Sequence, residues 1–493
     1  MAYVRGRMLV WAILAGALGL SCRGAPGTPL ADYDITPGDM RARISFLASD
    51  RLQGRGTPSR GLDIAASYVE SEFRRLGLES PAGGYTQRYQ LVRTEMGSGW
   101  SLALQRGNQR ATLDHRTDFW GLPWAAGTVE GRLRFVGTDA GGVIESDEPT
   151  IWVARLTTNM MPREWQRAAS AAGAVGLLLV TAPDMLEPQA RHWLSEGETV
   201  YELGDLEVSL PAALVSEEAL SAAMQQIGLE VPPADPHDGG IAAGARLRLS
   251  ADLRVETLSA PNVLGILQGS DRRLRKEYVL VSAHLDALGV GYPVDDDSIY
   301  NGADDNASGV AAVLEVAEAM MAAGRPPKRS LAFLAVSGEE LGLLGSAWFV
   351  EHPPIPLDKI VANLNIDMVG RNWEDTIAVI GKPYSSLGML VDSVTAAHPD
   401  LGLATVDDPW PADGFFFGSD HFNFARKGIP AVFFFNGVHE DYHRPSDEVS
   451  KIKFEKASRI ARLIYEVART VANADDPPHW DPEARSRIVE GAR

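Results

Sequence analysis

The stretch Tyr278-Val279-Leu280-Val281-Ser282-Ala283-His284-Leu285-Asp286 is apolar on both faces and ends in a histidine and an acid. Tyr278–Ala283 predicts a buried strand, because alternate positions on both sides are hydrophobic. The same texture recurs downstream at Ser330–Val336, Ile360–Ile366 and Ala431–Phe435. Helical patterns separate these runs, over Ser308–Ala323, Glu339–Val350, Ser386–Ala397, Phe422–Lys427 and Lys453–Val471. Apolar strands alternating with helices predict an α/β fold, with a mostly parallel mixed sheet flanked by helices. In such sheets ligands bind beyond the carboxyl ends of the strands, so the residues standing there carry the functional reading.

Upstream, Ile44, Leu47, Ile64, Ala65, Tyr68, Val69, Phe73 and Leu76 recur at helical spacing, and Gly77 marks a stop. Between these helices lies Gly54-Arg55-Gly56-Thr57-Pro58-Ser59-Arg60-Gly61. No strand precedes it and no Gly-Lys-Ser/Thr follows, so it reads as a flexible loop and not a phosphate cradle. The middle of the chain has another texture: strands at Thr150–Arg155, Val175–Val180 and Leu210–Val215, with helices at Pro162–Ala172 and Ser216–Ile227. It gathers no acids around a histidine, and no chemistry is expected there. His237, in a Pro/Gly-rich loop, reads as solvated.

Acidic residues outnumber basic ones 65 to 46, a net charge of −19, which argues against nucleic-acid binding. One cysteine in 493 residues excludes an internal disulfide framework and Cys-based zinc modules. Arg5 and Arg7, the apolar run Met8–Leu20 and then Ser21-Cys22 predict a secretory signal peptide. Leu18-Gly19-Leu20-Ser21-Cys22 resembles a bacterial lipoprotein cleavage box, in which the cysteine carries the lipid. The expectation is export from a bacterial cytoplasm as a periplasmic or membrane-anchored lipoprotein, otherwise as a secreted protein. The only membrane contact expected is through that N-terminal anchor.

Four strand ends carry the chemistry: His284-Leu285-Asp286, Glu339-Glu340, Asp367, and His439-Glu440-Asp441-Tyr442-His443. The loop after the first strand adds the pair Asp304-Asp305. So many carboxylates at one sheet edge repel unless a cation offsets them. Imidazole nitrogen and carboxylate oxygen are both good zinc ligands, and a metal is the simplest cation. Spacing does not separate Asp304 from Asp305 as the ligand.

These residues sit in AHLDALG (283–289), NGADDNASG (301–309), SGEELGLLGS (337–346), NIDMVGR (365–371), GSDHFNFARKGIPAVFF (418–434) and DYHRPSDE (441–448). The ordered set resembles the M28 family of zinc metallopeptidases, in the aminopeptidase branch that carries a protease-associated insert. The resemblance implies a zinc-exopeptidase-like fold with a smaller inserted α+β protease-associated domain. Expected boundaries are signal peptide and lipoprotein Cys over 1–22, N-terminal part of the peptidase domain over 34–120, insert over 121–255, catalytic domain over 256–475 and C-terminal tail over 476–493. It implies two Zn2+ ions: His284 and Asp367 on one, Glu340 and His443 on the other, Asp305 bridging both. Asp286 then orients His284, and Glu339 is the general base. Tyr442 corresponds to a tyrosine that steadies the tetrahedral oxyanion. The implied partners are peptide substrates; the sequence fixes no oligomeric state.

His439 and His443 match H-E-x-x-H, which needs a helix to set both rings on one metal. Asn436-Gly437 before the motif and Pro445 after it argue against a helix there. His421 reads as packed or capping, Asp295-Asp296-Asp297 as a solvated loop, and Trp410–Phe417 as either pocket lining or ordinary packing. An aminopeptidase is the leading expectation. A carboxypeptidase and a glutaminyl cyclase share the fold, and a non-catalytic binding scaffold is the alternative from another class.

Overall fold

The computed structural model describes residues 34–81, 83–137, 148–156, 160–181, 199–204, 210–231 and 238–491. The predicted signal segment with Cys22, and His237, lie outside these residues. No described helix is long and apolar enough to cross a membrane.

Four parallel neighbours form the heart of a nine-stranded sheet: Ser330–Val336, Tyr278–His284, Ile360–Ile366 and Ala431–Phe435. The alternation along Tyr278–His284 explains why it is central. Val279, Val281 and Ala283 enter one large core, with helices Pro37–Leu47, Arg60–Leu76, Gly309–Ala322 and Phe454–Asn473. Leu280 enters another, under Phe349 and Phe424 of the helices on the opposite face. Both faces are therefore dry, which accounts for the unbroken apolar run. Antiparallel strands extend the sheet on both sides, Thr376–Ile380 on one and Leu253–Leu267 on the other, so it is mixed.

Three predicted elements shift. The helix expected from Glu339 begins at Leu344, because Glu339–Leu343 forms a turn. Gly338, Gly342 and Leu343 all have positive φ, which a helix excludes, and at Gly338 (φ 71°) a Cβ would meet the Tyr89 hydroxyl at 2.7 Å. The acidic run Asp295-Asp296-Asp297 is the tip of an antiparallel hairpin, Gly289–Val294 with Asp297–Tyr300. Asp295 and Asp296 take positive φ there, as tight hairpin turns require.

The third shift concerns residues 101–121, expected within the N-terminal part of the peptidase unit. Ser101–Arg106, Gln109–Leu113 and Phe119–Gly121 pair instead in a second, eight-stranded sheet. Leu102, Leu104 and Leu113 bury there with Leu247 and Leu249, in a core separate from the first. Thr86–Met96 leads the chain toward this sheet, and its antiparallel neighbour Leu253–Leu267 leads it back. The expected tail is also structured: Trp480 is buried and donates to the Gly428 carbonyl, ahead of a helix over Pro482–Ile488.

The supposed flexible loop after Pro37–Leu47 is a buried clamp. Arg55 is 1% exposed and donates to the carbonyls of Leu285 (2.8 Å), Asn301 (2.8 Å) and Gly302 (3.1 Å), and also to that of Leu47. One guanidinium thus ties the first helix to both ends of the segment between His284 and Asp305. Burial pushes its pKa down to about 10, against the pull of Asp286 and other acids, so it stays charged. Arg55→Met should lower stability by roughly 3 kcal/mol or more, since it strands several buried carbonyls. A thermal or denaturant melt reads this; an unchanged midpoint would refute the clamp.

Candidate metal centre

The centre lies where the four parallel strands end. His284 is the last residue of its strand, and Asp367 directly follows Ile366. Glu340 stands in the turn after Ser330–Val336, and His443 in the turn after Ala431–Phe435. Asp305 comes from the turn Ala303–Ser308 that opens helix Gly309–Ala322. Entry to that turn depends on Gly302, at φ 58°, where a Cβ would lie 2.1 Å from the Asp305 carbonyl oxygen.

His284 Nε2 lies 3.1 Å from Asp367 Oδ1 and 3.2 Å from Asp305 Oδ1. His443 Nε2 lies 3.4 Å from Asp305 Oδ2 and 3.2 Å from Glu340 Oε2. The two oxygens of Asp305 are therefore divided between the two histidines. Neighbouring ligand atoms on a tetrahedral zinc stand about 3.3 Å apart, given metal–ligand distances near 2 Å. His284, Asp305 and Glu340 form one group of potential ligands within 4.8 Å of one another, and His284, Glu339 and Asp367 another. All five expected ligands meet here, and the donor set fits zinc.

Asp304 is turned away. Its Oδ1 accepts from the Gly370 amide (2.5 Å), and its Oδ2 lies 3.3 Å from His439 Nε2. The aspartate pair is thus resolved by direction, which spacing did not encode. His439 faces Asp304 while His443 faces Asp305 and Glu340, and the segment between them is a turn. The H-E-x-x-H match is accidental.

Electrostatics follow from the burial of so many acids. Burial, reinforced by Asp305, pushes Glu340 up to about 7. Burial also raises Glu339 well above the usual carboxylate range; His284 pulls it down, while Asp420, Glu340 and Asp367 push it up. Asp305 moves the other way: burial opposes ionisation, but its bonds to His284 and His443 prevail. Burial disfavours a charged His443, yet Asp305 and Glu340 raise it to about 10. Without a metal, protons hold this cluster together. The Tyr442 ring stacks on His443 with centroids 3.8 Å apart, and burial beside the acids keeps its hydroxyl protonated.

A further layer holds the ligands in place. Asp286, expected to orient His284, has Oδ1 3.7 Å from His284 Nδ1, while its own carbonyl lies closer, at 3.2 Å. Its carboxylate accepts from the Gly338 amide (2.8 Å), the Glu339 amide (3.4 Å) and the Thr57 hydroxyl (2.9 Å). Asp286 thus fixes the backbone that carries Glu339. The Asp447 carboxylate accepts from the Asp304 and Asp305 amides, all at 3.0 Å. Ser419 donates to Asp367 Oδ2 (3.0 Å) and accepts from Asn365 (3.0 Å).

Thr57, Asp447 and Ser419 escaped the sequence reading. Only Asn363 and Asn365, polar positions within a buried strand, hinted at such a network. His421 is packed, as expected: it is buried between Phe416 and Phe433, and burial drops it to about 3. Trp410 stacks on Trp373 and meets Phe415 and Phe435 edge-on, which favours packing for that segment.

The sequence profile of peptidase family M28 matches residues 262–468. Over 309 residues the chain is 25% identical to Aminopeptidase YwaD of Bacillus subtilis (strain 168), covering 61% of this chain and 58% of that protein. Over 183 residues it is 31% identical to Leupeptin-inactivating enzyme 1 of Streptomyces exfoliatus, covering 36% and 39%. The chain thus spans less than two thirds of these relatives. The solved aminopeptidase from Aneurinibacillus sp. strain AM-1 shares the fold, with a TM-score of 0.55 and 20% identity over 89% of this chain and 94% of that one. Profile, relatives and the convergent strand-end acids and histidines agree in likening residues 262–468 to peptidase family M28.

Proposed function

We propose that the chain is an exported dizinc aminopeptidase that removes N-terminal residues from peptides. The observation that carries this reading is the division of Asp305 between His284 and His443, each of which faces a further acid. The family match and the aminopeptidase relatives support the reaction class. His284 and Asp367 would hold one ion, Glu340 and His443 the other, with Asp305 shared. Zinc, when bound, supplies Lewis-acid activation of water and of the peptide carbonyl. Glu339 belongs to the His284 and Asp367 group without being needed as a ligand, which leaves it free as general base. Its high pKa suits taking a proton from the attacking water and returning it to the leaving amine. The protonated Tyr442 hydroxyl can donate to the oxyanion. Export and the lipid at Cys22 rest on the N-terminal sequence, and the second sheet is read as the protease-associated unit.

Glu339→Gln should lower kcat on an aminoacyl anilide by roughly 100-fold or more, with zinc content unchanged. A chelator should abolish hydrolysis and zinc restore it, and N-acetylated peptides should resist. Chelator-insensitive cleavage, or an unimpaired Glu339→Gln, would refute the mechanism.

The metal-free protein should lose stability as pH rises from about 5 to about 9. Glu340 and Asp447, both near 7 in the folded chain and lower when unfolded, hold protons that the unfolded chain has already released. His443, near 10 when folded, continues the trend above its unfolded value. Zinc binding would compete with protons at Glu340 and His443, so its stabilising effect should grow with pH. Melting temperatures with and without zinc across this range decide it; a zinc-free protein that gains stability with pH would contradict the assignment.

A further inference from the structure

The cleft beside the metal centre has Asp305, Glu340 and His443 as its floor, and Leu288 and Tyr300 also line it. Arg444 also lines it. Its side chain is exposed and has no ion pair or side-chain hydrogen bond among the described residues. Two acids near it in sequence, Asp441 and Asp447, are committed elsewhere. Asp441 is taken by Arg371 (2.8 Å), Lys451 (2.5 Å) and Ser446 (2.7 Å), and Asp447 by the amides of Asp304 and Asp305. The floor carboxylates face the histidines of the metal site. The Arg444 backbone is fixed: its amide donates to Asp441 and its carbonyl accepts from Asp447, both at 3.1 Å. Buried Pro445 follows. Arg43, Arg75, Arg329 and Arg426, by contrast, each find a carboxylate.

An unpaired guanidinium carried on a hydrogen-bonded turn and lining the cleft beside the metal centre matches a carboxylate, which it can grip through two parallel hydrogen bonds. We infer that Arg444 forms a carboxylate-recognition subsite beside the metal centre and that preferred substrates present a carboxylate there. This rests on the aminopeptidase reading and adds a substrate class to it. The carboxylate has two sources, the free C-terminus of a very short peptide or an acidic side chain close to the scissile bond.

Matched pairs separate the two sources in the zinc-loaded full chain. Leu-Ala against Leu-Ala-amide tests the terminus. Leu-Glu-amide against Leu-Gln-amide, and the Glu against the Gln anilide, test the side chain. In the unmutated chain, kcat/KM should favour the acid by roughly tenfold or more in at least one pair, mainly through KM. Arg444→Ala should bring that ratio close to one. Arg444→Lys should leave an intermediate ratio, because it keeps the charge and loses the fork. The ratio is the readout, so a general loss of activity beside His443 does not obscure it. Ratios near one with brisk turnover, or a preference that survives Arg444→Ala, would overturn the subsite alone. No turnover of any substrate would overturn the aminopeptidase reading and the subsite with it.

Discussion

Buried negative charge at one sheet edge is the constraint on which the rest of the structure turns. Asp305, Glu339, Glu340 and Asp367 converge on His284 and His443, and Asp286, Asp420 and Asp447 lie just behind. Ionised acids so close together are costly to bury without cations. The raised pKa values of Glu339 and Glu340 express that cost in the metal-free chain. Bound cations would offset it, which would couple the stability of this edge to metal loading.

The surrounding scaffold is built to hold that charge at fixed places. Asp286 and Asp447 carry no metal in the proposed centre; they secure the backbones of Glu339 and Asp305 through main-chain amides. Arg55 spans the segment between His284 and Asp305 from beneath, and Ser419 aims Asp367. Of the proposed ligands, Asp305 and Asp367 thus each have a partner that limits their movement, and the proposed base Glu339 has one at its amide. The support comes from both ends of the chain, Arg55 and Thr57 near the start and Asp447 near the end, so the centre joins segments far apart in sequence.

The parallel heart of the sheet and the gathering of acids and histidines at its strand ends were legible in the sequence because each rests on a local rule. A strand buried on both faces must be apolar throughout, and residues at its carboxyl end stand where such sheets bind ligands. Ser330–Val336, Ile360–Ile366 and Ala431–Phe435 have the expected bounds for that reason. Direction was not legible: Asp304 and Asp305 are alike in sequence, and only the tertiary contacts of Gly370 and His439 turn one of them away. Nor was the clamp at Arg55. Its partners are carbonyls, which leave no trace in residue identity, and a Gly-rich segment with a charge in it looks solvated. The expected division at residues 120–121 does not follow the sheets, because short alternating strands such as Ser101–Arg106 do not announce which of two sheets they join.

The tight turn after Ser330–Val336 has a chemical consequence. A helix starting at Glu339, as periodicity suggested, would point Glu339 and Glu340 about 100° apart around one axis. The turn instead sends Glu340 toward His443 and leaves Glu339 near His284 and Asp367. In the proposed mechanism, adjacent residues of one type thereby take different duties, one as ligand and one as base. The positive φ of Gly338 makes the turn, and Asp286 takes the amides of Gly338 and Glu339 that it exposes. The local departure from helical preference is what separates the two carboxylates, and the acid behind it keeps them apart.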